Sequence, residues 1–148
     1  MSTDETAARL GAAVAELHRL LRRRTTRRAN RPALAEAQVE LLLVVRAHPD
    51  VSVKETARRL CAAPNTVSTL VGDLVDAGLL HRERDPGDRR LVRLRLTDAA
   101  RQRMADYERH RAELLAAALA GLDPAARRAL VEALPHLDTL AALITAAD

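Results

Sequence analysis

A mainly helical chain with one β-hairpin set into it is the fold class that three observations predict. Ala, Leu and Arg dominate the 148 residues, and the hydrophobic fraction is 48% although aromatics supply only 1%, a composition that favours helix. Apolar residues recur at steps of three and four, as in Leu10, Val14, Leu17 and Leu21 near one end and Leu130, Leu134 and Leu137 near the other. The exception is residues 79–96, where "LLHRER" and "LVRLRL" flank "DPGD", two strand-like runs about a Pro-Gly turn.

The length suits one domain with a real core, with helices to spare for association. A formal net charge of +4 with 30% charged residues is compatible with a nucleic-acid partner, and local excess matters more than the total. One cysteine, Cys61, gives no intrachain disulfide and no thiolate-rich zinc site, as expected in a reducing cytoplasm. The five histidines (18, 48, 81, 110 and 136) are scattered without ligand spacing, so neither a metal nor a cofactor is expected. The acidic N-terminus lacks an apolar h-region, and no run approaches the roughly 20 apolar residues of a span, so export and membrane insertion are unsupported. No nucleophile with a base, phosphate loop or metal cluster is present, which argues against an enzyme.

Helix one is predicted from Ser2, which stands in capping-box relation to Glu5. Residues 19–31 follow with seven arginines and no acid, the largest local charge excess in the chain. Helix two is expected to start near Pro32, with Leu34, Gln38, Leu41, Leu42 and Val45 inward, and to end at "HPD", 48–50. Ser52 and Glu55 open a two-turn third helix whose inner side is read as Val53, Ala57, Leu60 and Cys61. Cys61 is therefore expected to be packing rather than a reactive thiol.

A tight break at Ala62 and Ala63 leads to Pro64, the first residue of a helix over about 64–77, buried through Val67, Leu70, Val71 and Leu74 and closed by Gly78 in a left-handed C-cap. Two short helices about a tight turn form a helix-turn-helix pattern, and the hairpin over about 79–96 is then a wing. Thr97 is a plausible N-cap for a long helix to Gly121, with Ala100, Met104, Tyr107, Leu114, Ala118 and Leu122 near one seam. Asp123 and Pro124 start the last helix, along which Leu130, Leu134, Leu137, Ala141 and Ile144 form the stripe and Pro135 predicts a bend or break. The terminal stripes exceed what a winged domain needs and argue for a helical dimer interface.

Residues 55–101, "ETARRLCAAPNTVSTLVGDLVDAGLLHRERDPGDRRLVRLRLTDAAR", resemble the MarR family of bacterial winged-helix transcriptional regulators: "NTVSTLV", the Gly cap, the "DPGDRR" wing and the "LT" helix start follow at the family's distances. The resemblance extends more loosely over the whole chain. It implies three parts: a dimerisation helix with a basic segment (1–31), a winged helix-turn-helix (32–96) and C-terminal dimerisation helices (97–148). It further implies a homodimer on a pseudo-palindromic operator in double-stranded DNA, acting as a repressor or activator, often released by a small phenolic compound or by oxidation.

The family's wing Asp-x-Arg maps onto Asp88 and Arg90, and the resemblance implies that this Arg enters the minor groove while the Asp orients it. The chemistry is sensible, because a narrow minor groove concentrates negative potential and a guanidinium fits it. Residues 79–96 hold six arginines against three acids, a net of +3, and Arg84, Arg89 and Arg93 are the further wing candidates. On the recognition helix, Asn65, Thr66, Ser68, Thr69 and Gly72 face outward: Asn can pair with adenine, Thr can touch the thymine methyl, and hydroxyls can take phosphate. No Lys or Arg occurs from Leu60 to Leu80, and Thr69 stands where relatives often carry Arg, so the wing is expected to bear more of the binding. Arg27, Arg28 and Arg31 are candidate backbone contacts, equally readable as a solvated charge run. In family geometry an effector pocket for a small aromatic compound would involve His18 and Tyr107. The alternatives are a winged helix acting through protein contacts and a cysteine-based redox sensor.

Overall fold

The computed structural model describes residues 1–28, 32–88 and 90–147. It divides into two compact units, residues 1–109 and 110–148. The first contains α1 (Thr3–Arg28), α2 (Glu36–Ala47), β1 (Val51–Ser52), α3 (Val53–Arg59), α4 (Pro64–Asp76), β2 (Leu80–Arg84), β3 (Val92–Leu96) and the start of α5 (Asp98–Ala120). The second holds the rest of α5 and α6 (Pro124–Ala146).

In the first unit, Leu41, Leu42 and Val45 of α2 share a core with Val67, Val71 and Leu74 of α4 and with Leu80, Leu94 and Leu96 of the sheet; Leu41, Val67, Val71, Leu74 and Leu94 have 0% exposure. Burying each such aliphatic side chain is worth about 1.5–3 kcal/mol, so this cluster is what sets α4 against the sheet. The sheet is antiparallel in the order β1-β3-β2, with Val51 opposite Leu94, Leu80 opposite Leu96 and Arg84 opposite Val92. The third strand, β1, was not expected: two residues are too short to show a period, and they pair only with β3 far along the chain.

The helix ends are built by short-range chemistry. Ser2 Oγ accepts from the Glu5 N–H (3.2 Å), and Ser52 Oγ from the Glu55 N–H (3.1 Å). Asp123 Oδ1 accepts from the N–H groups of Ala125 and Ala126, both at 2.9 Å. At the end of α4, Gly78 has φ +70°; its N–H reaches the Val75 carbonyl and the Leu79 N–H the Leu74 carbonyl, a Schellman motif.

Four expectations need correction. Pro32 does not begin α2: residues 32–35 are non-helical, the Arg22 Nη2 donates to the Leu34 carbonyl (2.7 Å), and Gln38 Oε1 caps the Ala35 N–H (2.9 Å), so the helix opens at Glu36. Cys61 is exposed and not packed beside Ala57. Its φ of +47° lets its N–H reach the Arg58 carbonyl and the Ala62 N–H the Ala57 carbonyl, so α3 ends in the same Schellman motif, with Cys where Gly is usual. Helical spacing stops applying at Leu60. α6 runs unbroken from Pro124 to Ala146 with Pro135 inside it. Lastly, that helix is long and apolar enough to span a bilayer by length and composition alone, although it carries Arg127, Arg128, Glu132 and Asp138.

Candidate nucleic-acid interface

The turn between α3 and α4 places Pro64 at the first position of α4, where a missing N–H costs nothing. Val67, Val71 and Leu74 anchor the helix, which leaves Asn65, Thr66, Ser68 and Thr69 exposed and Gly72 half-buried. The Thr69 hydroxyl donates to the Asn65 carbonyl (3.1 Å). Among the described residues no side chain caps the α4 N-terminus, so its first N–H groups and the hydroxyls of Thr66 and Ser68 lie on one accessible end.

The wing is organised by two carboxylates that the sequence pattern did not single out. Asp85 has a side chain only 12% exposed; its Oδ1 accepts from the N–H groups of Gly87 (2.7 Å) and Asp88 (3.0 Å), and its Oδ2 pairs with Arg93 Nε. These partners, Arg93 foremost, hold the Asp85 carboxyl below the usual range. Asp50, at φ +67°, is held low in turn by Arg95, whose Nε it accepts, while its carbonyl accepts from Arg93 Nη1 (3.2 Å). The Asp50 contacts join residues more than 40 positions apart, which is why residue spacing gives no hint of them.

Of the candidate wing residues, Arg93 is thus engaged beside the turn of the hairpin. Arg84 and Arg90 are exposed and, with Arg82, make no ion pair among the described residues. Arg89 lies outside the described residues. Asp88 meets Arg90 through its backbone: Asp88 Oδ1 accepts the Arg90 N–H at 2.9 Å. On α3, Glu55 is lowered to about 2 by Arg58, which it binds through both oxygens (2.9 and 2.7 Å), and by Arg59.

The basic run is largely helical: α1 continues through Arg28, with Arg19 paired to Glu16 (2.7 Å) and Arg27 exposed; Arg31 lies outside the described residues. His18 Nε2 stands 3.4 Å from Glu36 Oε1 beside an open depression walled by His18, Arg22, Arg23, Arg27, Ala33 and Glu36. Tyr107 is half-buried on α5 and is not among the residues lining that depression.

A helix-turn-helix whose second helix exposes a polar N-terminal half, followed by a three-stranded wing with exposed arginines, defines a winged-helix domain. Residues 34–92 match the model of the MarR family. A curated relative, the uncharacterized HTH-type transcriptional regulator YdgJ of Bacillus subtilis, is 23% identical over 104 residues, covering 70% of this chain and 63% of the relative. The chain thus spans less than two thirds of that relative's length. Among solved structures, a protein of Pseudomonas aeruginosa described as a candidate transcriptional regulator is 28% identical, with a TM-score of 0.78 over 95% of this chain and 98% of that one. FabT of Streptococcus pneumoniae, solved in complex with DNA, shares the fold at 18% identity, with a TM-score of 0.68 over 93% and 99% of the two chains.

Proposed function

We propose that this chain is a cytoplasmic, homodimeric, sequence-specific DNA-binding regulator that represses transcription until a small phenolic-type effector releases it. The observation that carries the DNA reading is the exposed Arg82, Arg84 and Arg90, without an ion pair among the described residues, on the wing that follows α4 with its open N-terminal end. FabT, of the same fold, was solved with DNA bound. Asn65, Thr66, Ser68 and Thr69 would meet base edges and phosphates, with Gly72 allowing close approach, and Arg90 would enter the minor groove with Asp88 setting its backbone. Arg27, Arg28 and Arg31 would add phosphate contacts.

The parts at 1–31, 32–96 and 97–148 carry the dimerisation and DNA-binding roles in this reading. Exposed Val14 and Leu17 on α1, and Leu130, Leu134, Leu137 and Ile144 on α6, supply apolar surface of the kind a two-fold interface covers. For the effector, the arginines beside His18 suit an aromatic acid, with Tyr107 a separate candidate.

Selection of duplexes from fragmented genomic DNA, followed by titration of Arg90→Ala on the enriched duplex, tests the reading. It predicts a pseudo-palindromic sequence and weaker binding by the variant; no enrichment over bulk DNA would favour a winged helix used for protein contacts. Displacement of the duplex by aromatic acids tests the effector, and failure of all of them removes it. The exposure of Cys61 supports a second reading, a redox-sensing regulator, for which peroxide treatment should weaken duplex binding in the parent and not in Cys61→Ser.

A further inference from the structure

The arginines of the wing fall into two groups. Strand register sets Arg93 opposite Glu83 and Arg95 opposite His81, and both cations are consumed, Arg93 by Asp85 and Arg95 by Asp50. Arg82, Arg84 and Arg90 make no such pairs among the described residues. Between the two groups runs a chain of bonds. Arg93 holds one oxygen of Asp85; the other holds the N–H groups of Gly87 and Asp88; the Asp88 carboxylate holds the N–H of Arg90, and the Asp88 carbonyl holds the N–H of Leu91 (2.9 Å). The Asp85 N–H closes the hairpin on the Leu91 carbonyl, also at 2.9 Å.

We propose that Asp85 is a positioning residue for DNA recognition: locked by Arg93, it fixes the turn that presents Arg90 to the duplex. The proposal rests on the DNA-binding reading of the wing. It opposes simple charge counting, which gives the contrary sign. An acid beside a polyanion that also neutralises an arginine should weaken binding, and its removal should strengthen it. Positioning works through entropy and geometry, since a long side chain on a preordered backbone has less freedom to lose on binding.

Binding of the duplex enriched by the parent protein is measured for Asp85→Ala, Asp85→Asn, Arg90→Ala and the double variant Asp85→Ala/Arg90→Ala. Asp85→Ala is expected to bind about tenfold more weakly despite its extra positive charge, the scale of a lost charge-assisted hydrogen bond. Asp85→Asn, which keeps an oxygen for the Gly87 and Asp88 N–H groups, should fall between it and the parent, and its thermal melt checks that the wing variants remain folded. In the double variant the Arg90 substitution should have little further effect, a coupling that a general loss of stability would not produce. Equal or tighter binding by both Asp85 variants overturns the proposal, as does a double variant whose losses simply multiply. If Arg90→Ala loses affinity while the Asp85 variants do not, only the positioning role falls; if Arg90→Ala binds like the parent, the wing reading and this proposal fall together.

Discussion

Replacing Thr97 with Val keeps the shape of the side chain and removes its hydroxyl, which joins the end of α4 to the start of α5. Thr97 Oγ1 accepts from the Ala100 N–H (3.0 Å) as the N-cap of α5 and donates to the Gly78 carbonyl (2.8 Å) at the end of α4, while the Thr97 N–H reaches the Leu79 carbonyl (3.2 Å). Loss of an N-cap costs about 1 kcal/mol. Leaving the Gly78 carbonyl without its partner costs about 1 kcal/mol more, at the low end of the range because Gly78 is exposed. Thr97→Val should therefore lose about 2 kcal/mol, a drop of about 1 M in the urea midpoint for an m-value near 2 kcal/mol/M. Thr97→Ser keeps both bonds and gives up one methyl, so it should lose less than about 1 kcal/mol. Urea titrations at one fixed protein concentration compare the three proteins, since a dimer's midpoint depends on concentration. A Thr97→Val protein within about 0.5 kcal/mol of the parent, or a Thr97→Ser protein equally damaged, would refute the assignment of this hydroxyl as the joint between α4 and α5.

The two left-handed helix ends should respond in opposite directions: Gly78→Ala, where no atom would crowd the new Cβ, should lose about 1 kcal/mol from backbone strain alone, and Cys61→Gly should gain up to about 1 kcal/mol, both read from thermal or urea unfolding. Stability should also fall in acid. Glu55 is lowered from 4.5 to about 2 and Asp50 and Asp85 are lowered from 3.8, so their ion pairs contribute fully above those ordinary values and are lost as pH falls through the depressed ones. Urea midpoints should drop as pH goes from about 4.5 towards about 2, less steeply in Glu55→Gln; equal slopes for variant and parent would contradict the pairing of Glu55 with Arg58. Neutralising Arg27 and Arg28 together should flatten the salt dependence of DNA binding, and an unchanged slope would assign them to another role.

What the sequence revealed follows how far apart the interacting residues lie. The caps at Ser2, Ser52, Thr97 and Asp123 and the glycine end of α4 depend on residues within a few positions of one another, and all were legible. The buried face of α4 and the alternation of β3 were legible because one side of each is buried against the same core. Cys61 misled because a helical period was carried one residue too far, past the point where the backbone turns left-handed. Strand β1 and the Asp50 contacts to Arg93 and Arg95 join residues more than 40 positions apart, so no local pattern announces them. Asp85 was visible only as half of a turn motif; that it binds the turn's amides and Arg93 together depends on the closed hairpin.

The central claim, that wing cations bind the duplex, is tested most directly by the salt dependence of affinity for the selected DNA in the parent and in the triple variant Arg82→Ala/Arg84→Ala/Arg90→Ala. If all three reach phosphates or the minor groove, the logarithmic slope should become shallower by up to about 2.7, about 0.9 for each contact removed, with a large loss of affinity at physiological salt. An unchanged slope and affinity would contradict the account and leave the wing without a role in binding DNA.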